Sequence, residues 1–309
     1  MNTQAIRYHQ YGPPDVMALE AIAQFPLEPG QVRVSLRAAG VAPLDTKLRA
    51  GLLQAQLALT LPKVPGRDGA GVIVESRAEG LPVGEPVCVM ADMFGQGSYA
   101  DSIVVPAARV VRQPSTLSTR QAAALLQPGA SAWIPIVRTA QVRSGMKVLV
   151  HAGSGAVGSL MIQLAAHLGA EVWATCSSAN RDDVLALGAT GVIAYDKEDF
   201  SALRGVDVVF DLVGGDTHDR SYPVLKPGGQ LVWLVAAPIR ERGEEFKVRV
   251  VRAMIDDAPE CLHAVAKLAE ERVWVPTVGQ CFPLAEAARA HALLESGKAA
   301  RGRIVLDIP

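Results

Sequence analysis

The hydrophobic pattern changes its period along the chain. Over residues 31–37 apolar and polar positions alternate strictly, as in a half-buried strand. Residues 70–75 and 99–105 read as further strands, separated by clusters such as Leu81-Pro82-Val83-Gly84. Short strands with that punctuation predict a small barrel or sandwich. Near Ser118 the period lengthens. Ser118 and Gln121 form a capping-box signature for a helix to about residue 126, which Pro128-Gly129 is expected to break before a second helical stretch to about 139. Strands at 147–151, 171–176, 206–212 and 230–236 then alternate with helices at 157–168 and 181–187. Buried strands alternating with helices predict an α/β fold with a doubly wound parallel sheet. The tail reads as an amphipathic helix at 284–294 and a closing strand at 303–306.

The sharpest chemical signal lies at the first of these switches. His151-Ala152-Gly153-Ser154-Gly155-Ala156-Val157-Gly158 contains G-x-G-x-x-G between the strand Met146-Lys147-Val148-Leu149-Val150 and a helix. That helix lines up Val157, Leu160, Met161, Leu164, Ala165 and Leu168 on one face, and Gly169 stops it. In this context Gly153 permits the tight turn and Gly155 lets backbone approach a pyrophosphate. Gly158 lets helix pack on strand, and the helix N-terminus holds the anion. The end of the next strand bears on which dinucleotide is used. An NAD enzyme usually places an acid there, about 20 residues on, for the ribose 2′-hydroxyl. Here Ser177-Ser178-Ala179-Asn180-Arg181 offers two hydroxyls and a guanidinium, and no acid before Asp182. Such donors suit a 2′-phosphate, so NADP(H) is the expected cofactor; Ser177 and Ser178 also suit the cap of the helix that follows.

Composition narrows the function classes. Of 309 residues 50% are hydrophobic and 20% charged, enough for a substantial core in one large or two ordinary domains. A net charge of -1 and 5% aromatic residues argue against nucleic-acid partners and anionic membranes. No apolar run approaches the ~18 residues that suggest a membrane span, and the N-terminal residues lack a signal-peptide pattern. Cys88, Cys176, Cys261 and Cys281 stand singly, which suits a reducing cytoplasm and neither a disulfide framework nor structural zinc.

With these residues placed, the chain resembles the medium-chain dehydrogenase/reductase superfamily, in the zinc-independent quinone oxidoreductase branch that includes zeta-crystallin. The likeness runs through Tyr8-His9-Gln10-Tyr11-Gly12, residues 40–47, Pro65-Gly66-Arg67-Asp68-Gly69-Ala70-Gly71, the glycine loop, residues 177–181 and 193–200, Asp211-Leu212-Val213-Gly214-Gly215 and residues 302–306. The resemblance implies a GroES-like β-barrel substrate domain from 1–117 and 256–309, and a Rossmann dinucleotide-binding domain at 118–255. It implies a homodimer or tetramer formed through the cofactor sheet. It further implies that Ser154, Gly155, Ala156 and Val157 line the pyrophosphate, and that Ser177, Ser178, Arg181 and Tyr195 surround the 2′-phosphate. Ser131, Val213, Leu234, Val235 and Ala236 would border the nicotinamide, and Arg303 falls where relatives often carry a basic residue near the cofactor. Zinc alcohol dehydrogenases of this superfamily place metal ligands where this chain has Ala42, Arg67 and Gln127, none of which is a plausible zinc ligand. Quinone oxidoreductases usually carry Asn at the position of Ala42, and some have tyrosines at those of Lys47 and Leu53. Ala42, Lys47, Leu53 and Gln127 are the expected substrate-pocket residues.

No nucleophile–base pair is evident. Tyr222 and Lys226 match Y-x-x-x-K, but Pro223 and Pro227-Gly228-Gly229 spoil the helix that motif needs. His151, Asp45 and Asp68 read as structural, and Cys176 as a small buried apolar residue. Lys47 is the one ionisable candidate for stabilising an oxyanion, against a reading as a surface lysine or a partner of Asp45. The expectation is hydride transfer from NADPH to a quinone or similar conjugated carbonyl. An enoyl or alkenal reductase is the alternative, and an NADPH-binding sensor or structural protein is the alternative of another class.

Overall fold

The computed structural model describes residues 2–235, 239–299 and 301–309. The chain divides into two compact units, one of residues 1–127 with 257–309 and one of 128–256. The first unit opens with an antiparallel pair, β1 (Asn2–Tyr8) and β2 (Met17–Ala23). Then follow β3 (Gln31–Val41), α1 (Pro43–Arg49), β4 (Asp68–Ser76), β5 (Pro86–Met90), β6 (Ser102–Pro106), β7 (Val110–Arg112) and α2 (Thr119–Ala123). After α3 (Leu126–Trp133) the second unit alternates strand and helix. Its elements are β8 (Lys147–Val150), α4 (Ala156–His167), β9 (Glu171–Cys176), α5 (Arg181–Ala186), β10 (Gly191–Ala194), β11 (Val206–Asp211), α6 (Asp216–Ser221), β12 (Leu225–Trp233), α7 (Gly243–Phe246) and β13 (Arg249–Arg252). The tail returns to the first unit with α8 (Pro259–Glu270), β14 (Val278–Pro283), α9 (Ala287–Glu295) and β15 (Arg303–Asp307).

In the second unit the strand order is β10-β9-β8-β11-β12-β13, and every neighbouring pair is parallel. In chain order this is 3-2-1-4-5-6, the Rossmann arrangement, whose order reverses between β8 and β11. Ligands of such sheets bind at the carboxyl ends beside that reversal. The central strands β8 and β11 are largely buried, Val148, Leu149, Val208 and Val209 among them, which explains their apolar runs. In the first unit a seven-stranded sheet runs β14-β15-β3-β4-β5-β7, with β6 also paired to β3. Its alternating faces bury Val32, Val34 and Leu36 of β3 with Ile73, Val89, Ile103, Tyr99 and Leu306 in one core.

Three expectations differ from the structure. The capping box forms, with Ser118 Oγ accepting from Gln121 N and Gln121 Oε1 accepting from Ser118 N. The helix it opens nevertheless stops at Ala123, and Pro128-Gly129 lie inside α3 instead of breaking a helix. Pro128 sits in the first turn of α3, where its missing N–H has no partner to lose. The strand expected at 230–236 starts earlier, at Leu225, and ends at Trp233. The helix α2, expected with the nucleotide domain, lies in the first unit. Among the described residues no helix is long and apolar enough to cross a membrane.

Candidate functional site

The glycine loop leaves β8 at its carboxyl end and enters α4. Its three glycines meet three different surroundings. A Cβ on Gly158 would stand 2.3 Å from Ala152 O, and one on Gly153 2.9 Å from Ala174 Cβ. Both are therefore required by internal packing. A Cβ on Gly155 would meet only Ala152 O, at 3.3 Å, with φ of -75° that any residue adopts. The protein itself gives little reason for glycine there; a ligand approaching backbone does. Gly155 is also the N-cap of α4, and no side chain caps its first turn. Gly155 N donates to Ala152 O at 3.0 Å, so it is the N–H groups of Ser154, Ala156 and Val157, at the start of a twelve-residue helix, that suit an anion.

The loop is pinned from below. His151, 1% exposed, has Nε2 2.9 Å from Ser221 Oγ and Nδ1 3.1 Å from Thr175 Oγ1. Ser221 Oγ donates to Thr217 O, so it accepts from His151 Nε2–H, and Nδ1 accepts from Thr175 Oγ1–H. Thr175 Oγ1 in turn accepts from Ala152 N, while Gly153 N donates to Thr175 O at 2.8 Å. Burial holds the imidazole neutral, with its pKa lowered to about 4. His151 is a packed brace of the loop.

At the end of β9, Ser177 Oγ accepts from Asn180 Nδ2 at 3.1 Å, and the same amide reaches Ser154 Oγ at 3.3 Å. The hydroxyls flagged by sequence therefore lie next to the glycine loop. Tyr195, 62% exposed, follows β10, and its N donates to Cys176 O, which brings it beside them. Sequence reasoning missed two acids that the β9–β10 pairing delivers to the same place. Asp196 accepts from Ser178 N and Oγ at 2.8 and 2.6 Å, and Glu198 accepts from Arg181 at 2.6 Å. The only available signal was the parallel register of β9 and β10, which a linear search for an acid within one loop does not contain.

After β11, Asp211 Oδ1 accepts from Val213 N and Gly214 N, at 2.9 and 2.8 Å. Its Oδ2 pairs with His218 Nδ1 at 2.8 Å, and His218 Nε2 lies 3.1 Å from Tyr222 Oη. This buried network fixes the turn that leaves Val213 half exposed at the switch point. Burial pushes the Asp211 carboxyl up, but hydrogen bonds from His218 and the turn N–H groups outweigh it and hold the pKa low. Leu234 and Val235 follow β12 half-buried, Ser131 is half-buried in α3, and Ala236 lies outside the described residues. Tyr222 is buried, and Lys226 lies on β12 paired to Asp207, so Y-x-x-x-K does not form one helical face.

In the first unit, Ala42 precedes α1 and its N donates to Asp45 Oδ2 at 2.8 Å. Tyr99 Oη lies 3.4 Å from Asp45 Oδ2 and 3.1 Å from His291 Nε2. Burial raises the Asp45 pKa to about 6 and lowers that of His291 to about 3. Arg303, expected near the cofactor, is 4% exposed, and its guanidinium donates to the buried Asp68 at 2.7 Å. That charge is already matched inside the first unit. Arg67 pairs with Asp257 at 2.7 Å. Lys47 is half-buried on α1, and its side chain makes no hydrogen bond or ion pair among the described residues. Leu53 lies beyond α1, and Gln127 keeps a buried Oε1 without a partner.

Comparison with known proteins bears on the whole chain. An alcohol dehydrogenase GroES-like domain model matches residues 28–115, and a zinc-binding dehydrogenase model matches residues 187–306. A 2-haloacrylate reductase from a Burkholderia species is 33% identical, over 96% of this chain and 97% of that protein. Escherichia coli quinone oxidoreductase, solved with NADPH, superposes with a TM-score of 0.86 at 27% identity, covering 98% of this chain and 99% of that one. An NAD-dependent alcohol dehydrogenase superposes with a TM-score of 0.92 at 26% identity, covering 99% and 100%.

Proposed function

The chain belongs to the quinone oxidoreductase branch of the medium-chain dehydrogenase/reductase superfamily, and within that branch we propose an NADPH-dependent, zinc-independent reductase of quinones or similar conjugated carbonyls. That the protein is an oxidoreductase follows from the family. The observation that carries the finer reading is the glycine loop. Its middle glycine is the least crowded of the three, beside an uncapped helix start and the Ser177 hydroxyl.

When bound, the nicotinamide supplies a hydride. The N–H groups of Ser154, Ala156 and Val157 would hold the pyrophosphate along the Gly155 backbone, and Ser177, Ser178, Arg181 and Tyr195 would take the 2′-phosphate. Ser131, Val213, Leu234 and Val235 border the nicotinamide. The substrate meets Ala42, Lys47, Leu53 and Gln127. Quinones suit a site without metal or strong acid, because the reduced oxyanion is already stabilised by conjugation. Lys47 adds a positive charge for that oxyanion.

The relative named for 2-haloacrylate favours a second reading, reduction of a double bond conjugated to a carbonyl. That reaction delivers a proton to carbon, which water supplies. The test is NADPH oxidation measured against quinones, enals, enoyl thioesters and simple aldehydes. Rapid turnover of quinones with little of aliphatic aldehydes supports the proposal. Equal rates on aliphatic aldehydes reject it, and NADPH binding without turnover on any acceptor favours a sensor.

A further inference from the structure

The donors expected to receive the adenosine 2′-phosphate already hold anions. Ser178 gives both its backbone N–H and its hydroxyl to Asp196, at 2.8 and 2.6 Å. Arg181 gives a guanidinium N–H to Glu198 at 2.6 Å. The two acids differ in how they are held. Glu198 also accepts from Ala194 N at 2.9 Å, so it is built into the turn that ends β10. Asp196 is exposed, and its hydrogen bonds come from Ser178, which itself holds the carboxyl below the usual range. A carboxylate at this place accepts from the same two donors a phosphate would use and repels its charge.

We propose that Asp196 is a specificity-determining residue that holds down affinity for the 2′-phosphorylated nucleotide by occupying Ser178. The proposal rests on the NADP(H) reading above. It assigns Asp196 the part that a β9 acid plays in an NAD site, delivered here from the neighbouring strand by the parallel register of Ile193 with Thr175 and Ala194 with Cys176. Wild-type discrimination between NADPH and NADH is accordingly smaller than the free donors alone would give. Among the described residues the Asp196 carboxylate has no hydrogen bond to the pyrophosphate loop, so its influence is expected at the 2′ position.

The test is calorimetric titration of the full chain with adenosine 2′,5′-bisphosphate and with 5′-AMP, which differ only in the 2′-phosphate. Asp196→Asn is expected to tighten the bisphosphate by roughly tenfold to a hundredfold, the range of one charge-assisted hydrogen bond, and to leave 5′-AMP within about twofold. Adding Ser178→Ala to that variant is expected to remove most of the gain. Equal changes for both nucleotides, or a gain that survives Ser178→Ala, would overturn the proposal. If wild type binds the bisphosphate better than 5′-AMP and Asp196→Asn changes nothing, the proposal fails while the NADP(H) reading stands. If neither protein favours the bisphosphate, both fail.

Discussion

At the end of β8 the chain offers backbone N–H groups at an uncapped helix start and hydroxyls at the end of the next strand. Around α1 the polar groups are buried and bonded to one another: Asp45 to Ala42 N, Arg303 to Asp68, Arg49 to Glu295 and to Gly12 O. The first region keeps backbone donors that suit a ligand, and the second bonds its polar groups mainly to one another. The difference teaches where to look for each role. A nucleotide site can be made of backbone, so its geometry survives changes of side chain. A metal-free reduction site needs few side chains, and most ionisable groups near α1 are already engaged, with Lys47 the exception.

The comparison is broken most severely through Arg303. If its guanidinium serves Asp68, Arg303→Ala leaves a carboxylate buried without its cation and costs about 3–5 kcal/mol. Denaturant unfolding would show that loss, with dinucleotide affinity of the folded protein nearly unchanged. A stable variant with weakened dinucleotide binding would instead assign Arg303 to the cofactor. Next comes Lys47→Ala, expected to lower kcat/KM for quinones by roughly 10- to 1,000-fold without altering NADPH affinity. Wild-type turnover in that variant would make the lysine structural, and water the proton source.

Acid sharpens the contrast. His151 has a folded pKa of about 4, pushed by burial below the ordinary histidine value of about 6.5. Its stability contribution is therefore complete above pH 6.5 and is lost as pH falls toward 4, amounting to about 3 kcal/mol. In the first unit Asp45, raised to about 6, works the other way and loses stability as pH rises from about 4 through 6, while His291, lowered to about 3, acts in the same direction as His151. His151→Asn is expected to flatten the pH dependence of thermal unfolding between pH 6.5 and 4.5. An unchanged slope would remove His151 from the account.

A smaller effect separates the glycines. Gly158→Ala forces a Cβ onto Ala152 O and is expected to cost about 1–3 kcal/mol in unfolding experiments. Gly155→Ala should unfold nearly as wild type and lose dinucleotide affinity at least several-fold. Equal stability losses for both would show that Gly155, too, serves packing. Smallest of all is the response to chelators, which should leave both turnover and thermal stability unchanged. Loss of activity together with one bound zinc per chain would reject the zinc-independent reading.

Much of this was legible in the chain itself. The strand Met146–Val150, the glycine loop and the apolar face of α4 are local, so period and glycine spacing sufficed to identify them. The strands of the first unit alternate visibly at β3 for the same reason, since one face of that sheet meets its core. Boundaries were less legible: Pro128-Gly129 reads as a breaker in sequence, yet a proline in a first helical turn loses nothing. Only the tertiary structure brought Asp196 and Glu198 to Ser178 and Arg181, because parallel pairing joins strand ends that are far apart along the chain. It alone buried Arg303 on Asp68, across 235 positions of sequence. Sequence determined which elements form and what backbone chemistry the loop can do, since those depend on neighbours along the chain. Which charges stay available to a ligand was decided by packing, since desolvation and pairing depend on neighbours in space.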